Sequence, residues 1–288
     1  MAQKTGITAR TALLGVIGHP VSHSLSPIFQ NAALQALDLD YVYLAFDILP
    51  DDLFLAIRSL RTWRLQGINV TIPHKKTIVP WLDRLDETAS QLEAVNVVVV
   101  KEEELVGYNT DGIGFAKALE FNHIELKGKN VILLGAGGAA RAVLSVLIKS
   151  GVHRIIVYNR SYQRCHQLKQ WAQNSLNWSL EIDNWENFIN GDSSFLSQAD
   201  LLINSTSLGL HQEIIEIPWG KIENCGVLID VVYCQEETSL VKEARKRGKK
   251  AFDGKMMLLF QGAESFRLFT GVEAPFDIME KALSESIS

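Results

Sequence analysis

Cysteine is scarce: three residues in a chain of 288, at positions 165, 225 and 234, odd in number and far apart. That excludes a disulfide scaffold, and they read as free thiols of a protein in a reducing, cytoplasmic compartment. Long apolar runs are missing too. The stretch 131–148 is broken by Arg141, Ser145 and several glycines, so it falls short of the ~18 continuous apolar residues of a membrane span. The apolar segment 12–18 is short and runs into His19-Pro20 without a small-residue cleavage pattern, which predicts a strand rather than a signal peptide. There is no excess of positive charge, since 28 Lys and Arg face 33 Asp and Glu for a net charge of −5. Neither a nucleic acid nor a membrane is therefore expected as a partner. No cluster of His, Cys, Asp and Glu has metal-ligand spacing, because Pro20 keeps His19 and His23 off one helix face, and no metal is expected. A Gly-x-Ser-x-Gly elbow and internal repeats are also lacking.

What is present is an ordinary globular composition, 47% hydrophobic and 21% charged, in a chain long enough for two domains. The apolar spacing predicts strands over 13–18, 41–46 and 68–72. Helices are expected from Pro27 to about 37 and over 53–60, the latter capped by Asp51 or Asp52, with helical stretches continuing to 85 and over 86–92. Residues 95–100 and 104–108 read as a strand pair, followed by a helix over 111–120. From there strands (131–134, 154–158, 199–203, 227–231) alternate with helices (137–149, 162–173, 240–247), and the chain ends in helical stretches over 255–269 and 275–283. Such alternation implies an α/β protein with parallel sheets covered on both faces, in two lobes.

The sharpest local signal is Gly135-Ala136-Gly137-Gly138-Ala139, placed after a buried strand and opening a helix. A dinucleotide site needs that context: a tight turn, close approach of backbone to pyrophosphate, and a helix N-terminus facing negative charge. Gly-rich strand-to-helix turns also occur for packing alone. After the next strand, an NAD site usually places Asp or Glu. Here stand Asn159, Arg160 and Ser161, with Arg164 one turn on. Two guanidiniums and no carboxylate suit the 2′-phosphate of NADP, although a solvated basic helix start would look the same.

Three further segments carry polar groups at strand ends. Ser24 and Ser26 lie in the loop after the first strand, where hydroxyls could hold a carboxylate or Ser26 could simply cap a helix. Thr71 and Lys75 follow the third strand, and Asp111 opens a helix, either as partner to a lysine or as its N-cap. Gln261 sits in an apolar helical stretch, where an amide needs a hydrogen-bonding partner.

Taken together and in order, these segments resemble the shikimate dehydrogenase family, including its quinate/shikimate branch, over nearly the whole chain. The resemblance rests on Gly18-His-Pro-Val-Ser-His-Ser-Leu-Ser-Pro27, Asn69-Val-Thr-Ile-Pro-His-Lys75, Ala94-Val-Asn96, Asn109-Thr-Asp111 and the Gly135 turn. It continues through Asn159-Arg160, Asn204-Ser-Thr-Ser-Leu-Gly209, Asp230-Val-Val-Tyr233 and Met257-Leu-Leu-Phe-Gln261. It implies a discontinuous substrate-binding lobe (1–106 and 253–288) and a Rossmann-type NADP-binding lobe (107–252). Lys75 and Asp111 would be catalytic. Ser24, Ser26, Thr71, Asn96, Tyr233 and Gln261 would hold the substrate. Gly135, Ala136, Gly137, Gly138, Ala139, Asn159, Arg160, Ser161, Arg164, Thr206, Ser207 and Gly254 would hold the cofactor.

The activity implied is NADP-dependent, reversible reduction of 3-dehydroshikimate to shikimate in aromatic amino-acid (chorismate) biosynthesis, by a monomer or homodimer. Competing readings are a quinate/shikimate enzyme using NAD and NADP, and a cofactor-sensing homologue without turnover. Three departures from the family pattern stand out: Val97 where Thr is usual, Gln30 where His is usual, and Cys234-Gln235 after the Asp-Val-Val-Tyr segment.

Overall fold

The computed structural model describes residues 6–210, 213–234 and 236–286, and they divide into two compact units. The first comprises the residues up to Gly114 and those from Leu258 onward; the second is Phe115–Met257. The resemblance placed the boundaries somewhat earlier, at 106/107 and 252/253. The difference has a physical origin. The first turn of the helix starting at Asp111 bonds back to Lys75 and Asn96, which draws it into the first unit. Phe252, Gly254 and Met257 share a small cavity with Phe115, Leu119 and Ile229, which keeps them in the second.

In the first unit the strands are β1 (Ala12–Gly18), β2 (Tyr41–Asp47), β3 (Gly67–Val70), β4 (Arg84–Leu85), β5 (Val97–Lys101) and β6 (Glu104–Tyr108). They form one sheet in the order β2-β1-β3-β5-β6-β4. The sheet is mixed rather than parallel throughout, because β5 runs antiparallel to both β3 and β6. Helices α1 (Ser26–Ala36), α2 (Leu53–Thr62) and α3 (Glu87–Leu92) lie between strands, while α9 (Lys255–Thr270) and α10 (Phe276–Ser286) close the chain.

One face of the sheet packs Ile17, Ile68, Val70 and Val98 against Leu53, Ile57 and Leu60 of α2. The other face takes α9: a side chain at Gly67 would run into Phe269, and one at Gly262 into Phe29 of α1. Three local expectations differ. The stretch 74–85 is turns, a single 3-10 turn and the short β4, because Pro80 and Pro73 interrupt it. Asp52 precedes α2 without a side-chain capping bond. Ser26 is inside α1 rather than capping it, with Leu25 at the cap position.

The second unit begins within α4 (Asp111–Phe121) and carries β7 (Asn130–Leu134), β8 (Arg154–Asn159), β9 (Glu181–Asn184), β10 (Leu201–Asn204), β11 (Val227–Asp230) and β12 (Lys250–Phe252). All pair in parallel, in the order β12-β11-β10-β7-β8-β9. The helices are α5 (Gly138–Lys149), α6 (Tyr162–Leu176), α7 (Trp185–Asn190) and α8 (Ser239–Lys246). Strand order reverses between β7 and β10, the doubly wound arrangement in which ligands bind beyond the carboxyl ends of the strands. Strands β9 and β12 and helix α7 had no clear signal in the sequence. They are short edge or near-edge pieces, and β9 is partly exposed, so they lack a buried apolar run.

Candidate active site

In the first unit, one edge of the sheet gathers the polar residues. The carboxyl ends of β1 and β3, the start of β5 and the end of β6 all open there, because β5 and β6 run in opposite directions. Lys75 follows β3, Asn96 precedes β5, Asp111 follows β6, and Gln261 reaches in from α9. Lys75 Nζ donates to Asp111 Oδ2 at 2.6 Å. The Asn96 amide donates to Asp111 Oδ1 at 2.8 Å and to Gln261 Oε1 at 3.2 Å. Asp111 is buried, while Lys75 keeps about a fifth of its side chain exposed. The Asp111 carboxylate thus points at a lysine and an asparagine, and not at its own helix as an N-cap would.

Behind this group lies a second polar layer that the sequence reading missed. Asn69 donates to the Asn96 carbonyl (3.1 Å) and to Ser265 Oγ (2.9 Å), and accepts from the Tyr43 hydroxyl (2.7 Å). Thr110 N–H donates to Asn96 Oδ1 at 2.8 Å, which fixes the orientation of that amide. Ser265 stands four residues after Gln261, and that helical spacing was its only signal.

Ser24 and Ser26 lie in the loop after β1, where Ser26 N–H approaches Ser24 Oγ at 3.4 Å. Thr71 sits at the end of β3, next to Gly18, where an added side chain would strike the Thr71 methyl. These three hydroxyl residues share the sheet edge with Lys75 but have no bond to the Lys75–Asp111 group among the described residues. His74, next to Lys75, is fully buried and its Nε2 lies 2.7 Å from the Ile48 carbonyl. Burial holds its pKa below the ordinary 6.5.

The departures from pattern are accommodated. Val97 is fully buried, in register with Asn69 and Tyr108. Gln30 is buried and donates to the Gly262 carbonyl at 2.8 Å, tying α1 to α9. Cys234 donates to the Glu236 carbonyl; Gln235 lies outside the described residues.

In the second unit, the segments Gly135–Ala139, Asn159–Arg164, Thr206-Ser207, Tyr233 and Gly254 all follow carboxyl ends of parallel strands, on one edge of the sheet. Gly135 has φ +108°, and a Cβ there would come within 2.8 Å of Ser205 Oγ and 3.0 Å of Thr206 N. Only glycine permits both the angle and the approach. Gly137 borders open space, and α5 has no side-chain cap, so the first N–H groups of that helix are free for an anion. Arg160 and Arg164 are exposed, with no side-chain partner among the described residues. This donor set fits a dinucleotide with an extra phosphate. A side chain at Gly254 would collide with the Val231 carbonyl, so its absence there serves packing.

Comparison with known proteins decides the family. Residues 16–98 match the shikimate dehydrogenase substrate binding domain, 117–216 the shikimate/quinate 5-dehydrogenase family, and 257–283 the shikimate 5′-dehydrogenase C-terminal domain. The chain is 39% identical to shikimate dehydrogenase (NADP(+)) of Aquifex aeolicus, over 97% of this chain and 98% of that one. The chain belongs to the shikimate dehydrogenase family. The enzyme of the same name from Methanocaldococcus jannaschii is 40% identical over 98% of this chain and 99% of its own. A shikimate dehydrogenase crystallised in complex with NADP+ has a TM-score of 0.87 and 37% identity, covering 98% of both chains. The mixed first sheet departs from the parallel sheets that the alternation of elements implied for both lobes, because β5 runs antiparallel to β3 and β6.

Proposed function

We propose that this chain is an NADP-dependent shikimate dehydrogenase, catalysing the reversible reduction of 3-dehydroshikimate by NADPH and a proton to shikimate and NADP+. The observation that carries the reading is the Lys75–Asp111 pair at the sheet edge of the first unit, held by Asn96, whose amide also donates to Gln261. A module that merely sensed a cofactor would need no such group. The named relatives, alike over nearly their full length, support the reaction and the cofactor.

Bound NADPH supplies the hydride. In the direction of reduction, Lys75 Nζ donates a proton to the oxygen that becomes the alcohol, and its positive charge offsets the negative charge building there. In the reverse direction the same nitrogen takes the hydroxyl proton. Asp111 accepts from Lys75 and so aims it, and Asn96 holds Asp111 in turn. Asn96 and Gln261 also present amides suited to ring hydroxyls. Ser24, Ser26 and Thr71 supply hydroxyl donors for a carboxylate, and Tyr233, after β11, is a further candidate hydroxyl for the substrate. Gly135, Ala136, Gly137, Gly138 and Ala139 form the pyrophosphate turn. Asn159, Arg160, Ser161 and Arg164 receive the 2′-phosphate, and Thr206, beside Gly135, with Ser207 after it, adds to the cofactor wall. The three cysteines are free thiols, two of them buried, which supports a reducing, cytoplasmic setting.

The test is reduced-cofactor formation with shikimate and with quinate, each with NAD and NADP. The reading requires highest kcat/KM for shikimate with NADP. Equal or better turnover of quinate, or equal use of NAD, would transfer the chain to the quinate/shikimate branch. No turnover with any pair would leave a cofactor-binding homologue.

A further inference from the structure

The carboxyl ends of β10 and β11 are joined through one buried carboxylate. Asn204 and Asp230 are register partners on these neighbouring strands, and both are fully buried. Asp230 Oδ1 accepts from the Asn204 amide at 2.8 Å and from the Val232 N–H at 3.1 Å. Asn204 is in turn the hub of the segment that follows it. Its Oδ1 accepts from the N–H and the hydroxyl of Thr206, at 3.1 and 2.7 Å, and its amide also donates to the Leu208 carbonyl at 3.2 Å. The Thr206 hydroxyl then accepts from Leu208 N–H at 3.1 Å.

An asparagine amide can be turned end for end at almost no cost in shape, exchanging its donor for its acceptor. Here three groups remove that freedom: the Thr206 N–H can only donate to the Asn204 oxygen, the Leu208 carbonyl can only accept from its NH2, and Asp230 Oδ1, which also takes the Val232 N–H, is the shortest acceptor for that NH2. Burial pushes the Asp230 pKa up to about 6, opposed by hydrogen bonds from Thr238, Asn204 and the Val232 N–H that favour the charge. A buried carboxylate is costly, and its neighbours on β11, Leu228 and Ile229, show what packing alone selects there.

The segment so ordered lies at a meaningful place. It follows β10, the strand beside β7 where the strand order reverses, and Ser205 and Thr206 abut Gly135 so closely that no side chain fits there. That reversal point is where open α/β sheets bind ligands. We propose that Asp230 is a positioning residue: without touching a ligand, it sets the Asn204 amide and thereby the 205–208 wall beside the glycine turn, while its second bond anchors the start of the segment leading to Tyr233. The inference rests on the NADP-dependent reading above.

The experiment uses the full chain and the variants Asp230→Ala, Asp230→Asn, Asn204→Ala and the double alanine. It measures kcat, KM for shikimate, the Kd of NADP from protein fluorescence, and thermal unfolding. A displaced wall spoils the reacting geometry more than it loosens a cofactor held by the glycine turn and two arginines. Asp230→Ala should therefore lower kcat about 10-fold or more, with the Kd of NADP within about 3-fold of wild type. Asp230→Asn keeps an oxygen acceptor and should return kcat to within about 3-fold. Asn204→Ala should match Asp230→Ala, and the double variant should be no worse than the poorer single one. If Asp230→Ala does not fold, Asn204→Ala against Asp230→Asn makes the same comparison.

An active wild type with Asp230→Ala retaining more than about half of kcat would overturn the proposal alone. So would losses that multiply in the double variant, or an asparagine variant as impaired as the alanine one. A wild type without turnover would overturn the dehydrogenase reading and this proposal with it.

Discussion

Lys75 and Asp111 are an ion pair with unequal access to water, and that asymmetry matters for their roles. The carboxylate is buried and held by Asn96, so it cannot wander; the ammonium keeps a solvent-facing side from which a proton can be delivered. Lys75→Ala should lower kcat by roughly 10²–10⁴, the usual loss for an acid/base group, while the Kd of NADP stays unchanged. Steady-state kinetics beside a cofactor titration would check it, and retention of a third of kcat or more would reduce Lys75 to a structural lysine.

Asp230 offers a second prediction at this scale. Its folded pKa, about 6, lies above the ordinary 3.8 because burial disfavours the charge. The folded state therefore binds the proton more tightly, and the associated stability is complete below the unfolded pKa and lost as pH rises through about 6. Between pH ~5 and ~7.5, wild type should lose about 1 kcal/mol of stability relative to Asp230→Asn. Urea unfolding of both proteins at the two pH values measures that difference. The comparison cancels Asp83 and Glu181, whose lowered pKa values act in the opposite direction in both proteins.

At the scale of elements, the junction of β7 and α5 combines two demands. The turn must reverse tightly against Ser205 and Thr206, and the helix must present bare N–H groups. Gly135→Ala meets the first demand badly, since φ is +108° and the added carbon would lie 2.8 Å from Ser205 Oγ. It should weaken NADP binding at least about 10-fold and lower stability by more than ~1 kcal/mol, readable by titration and thermal melts. The junction of β8 and α6 makes the complementary case. Arg160 and Arg164 are exposed and have no side-chain partner among the described residues, so the described fold gives them no packing role. Two charge-assisted contacts with a 2′-phosphate, discounted for solvent, should favour NADP over NAD by ~10²-fold. The double change Arg160→Ala with Arg164→Ala should remove that preference and leave kcat and KM with NAD nearly flat.

For the whole molecule, each unit has its own core and its own functional edge. The second unit packs Ile132, Leu202 and Leu228 against Phe188, Leu240 and Val241, independently of the α2 core in the first. The proposed division of labour then predicts how ligands act on stability. NADP at ~100 times its Kd should add about 2.7 kcal/mol to the unit that binds it. Thermal melts should show the same NADP-induced shift in wild type and Lys75→Ala, and almost none in the double arginine variant. A shift that Lys75→Ala abolishes would contradict the assignment of cofactor and proton transfer to different units.

Much of this protein was determined by local sequence. Buried strands such as β7, β8 and β10 are continuous apolar runs, and a helix with three apolar residues per two turns, such as α2, declares itself by period. The Gly135 turn is legible because a positive φ and a close backbone approach admit almost no other residue. Arginines after β8 are legible because a carboxylate is the alternative there. Tertiary structure alone decided the rest. Residues 75, 96, 111 and 261 are scattered along the chain, and each has an ordinary local role available: surface lysine, strand-end amide, helix cap, core amide. Only the antiparallel turn of β5 and β6 and the return of α9 bring them within hydrogen-bonding distance. The same holds for Asn204 and Asp230, which meet because β10 and β11 pair in register. Backbone propensity and periodicity act over a few residues, whereas a buried hydrogen bond is satisfied by whatever the fold brings beside it.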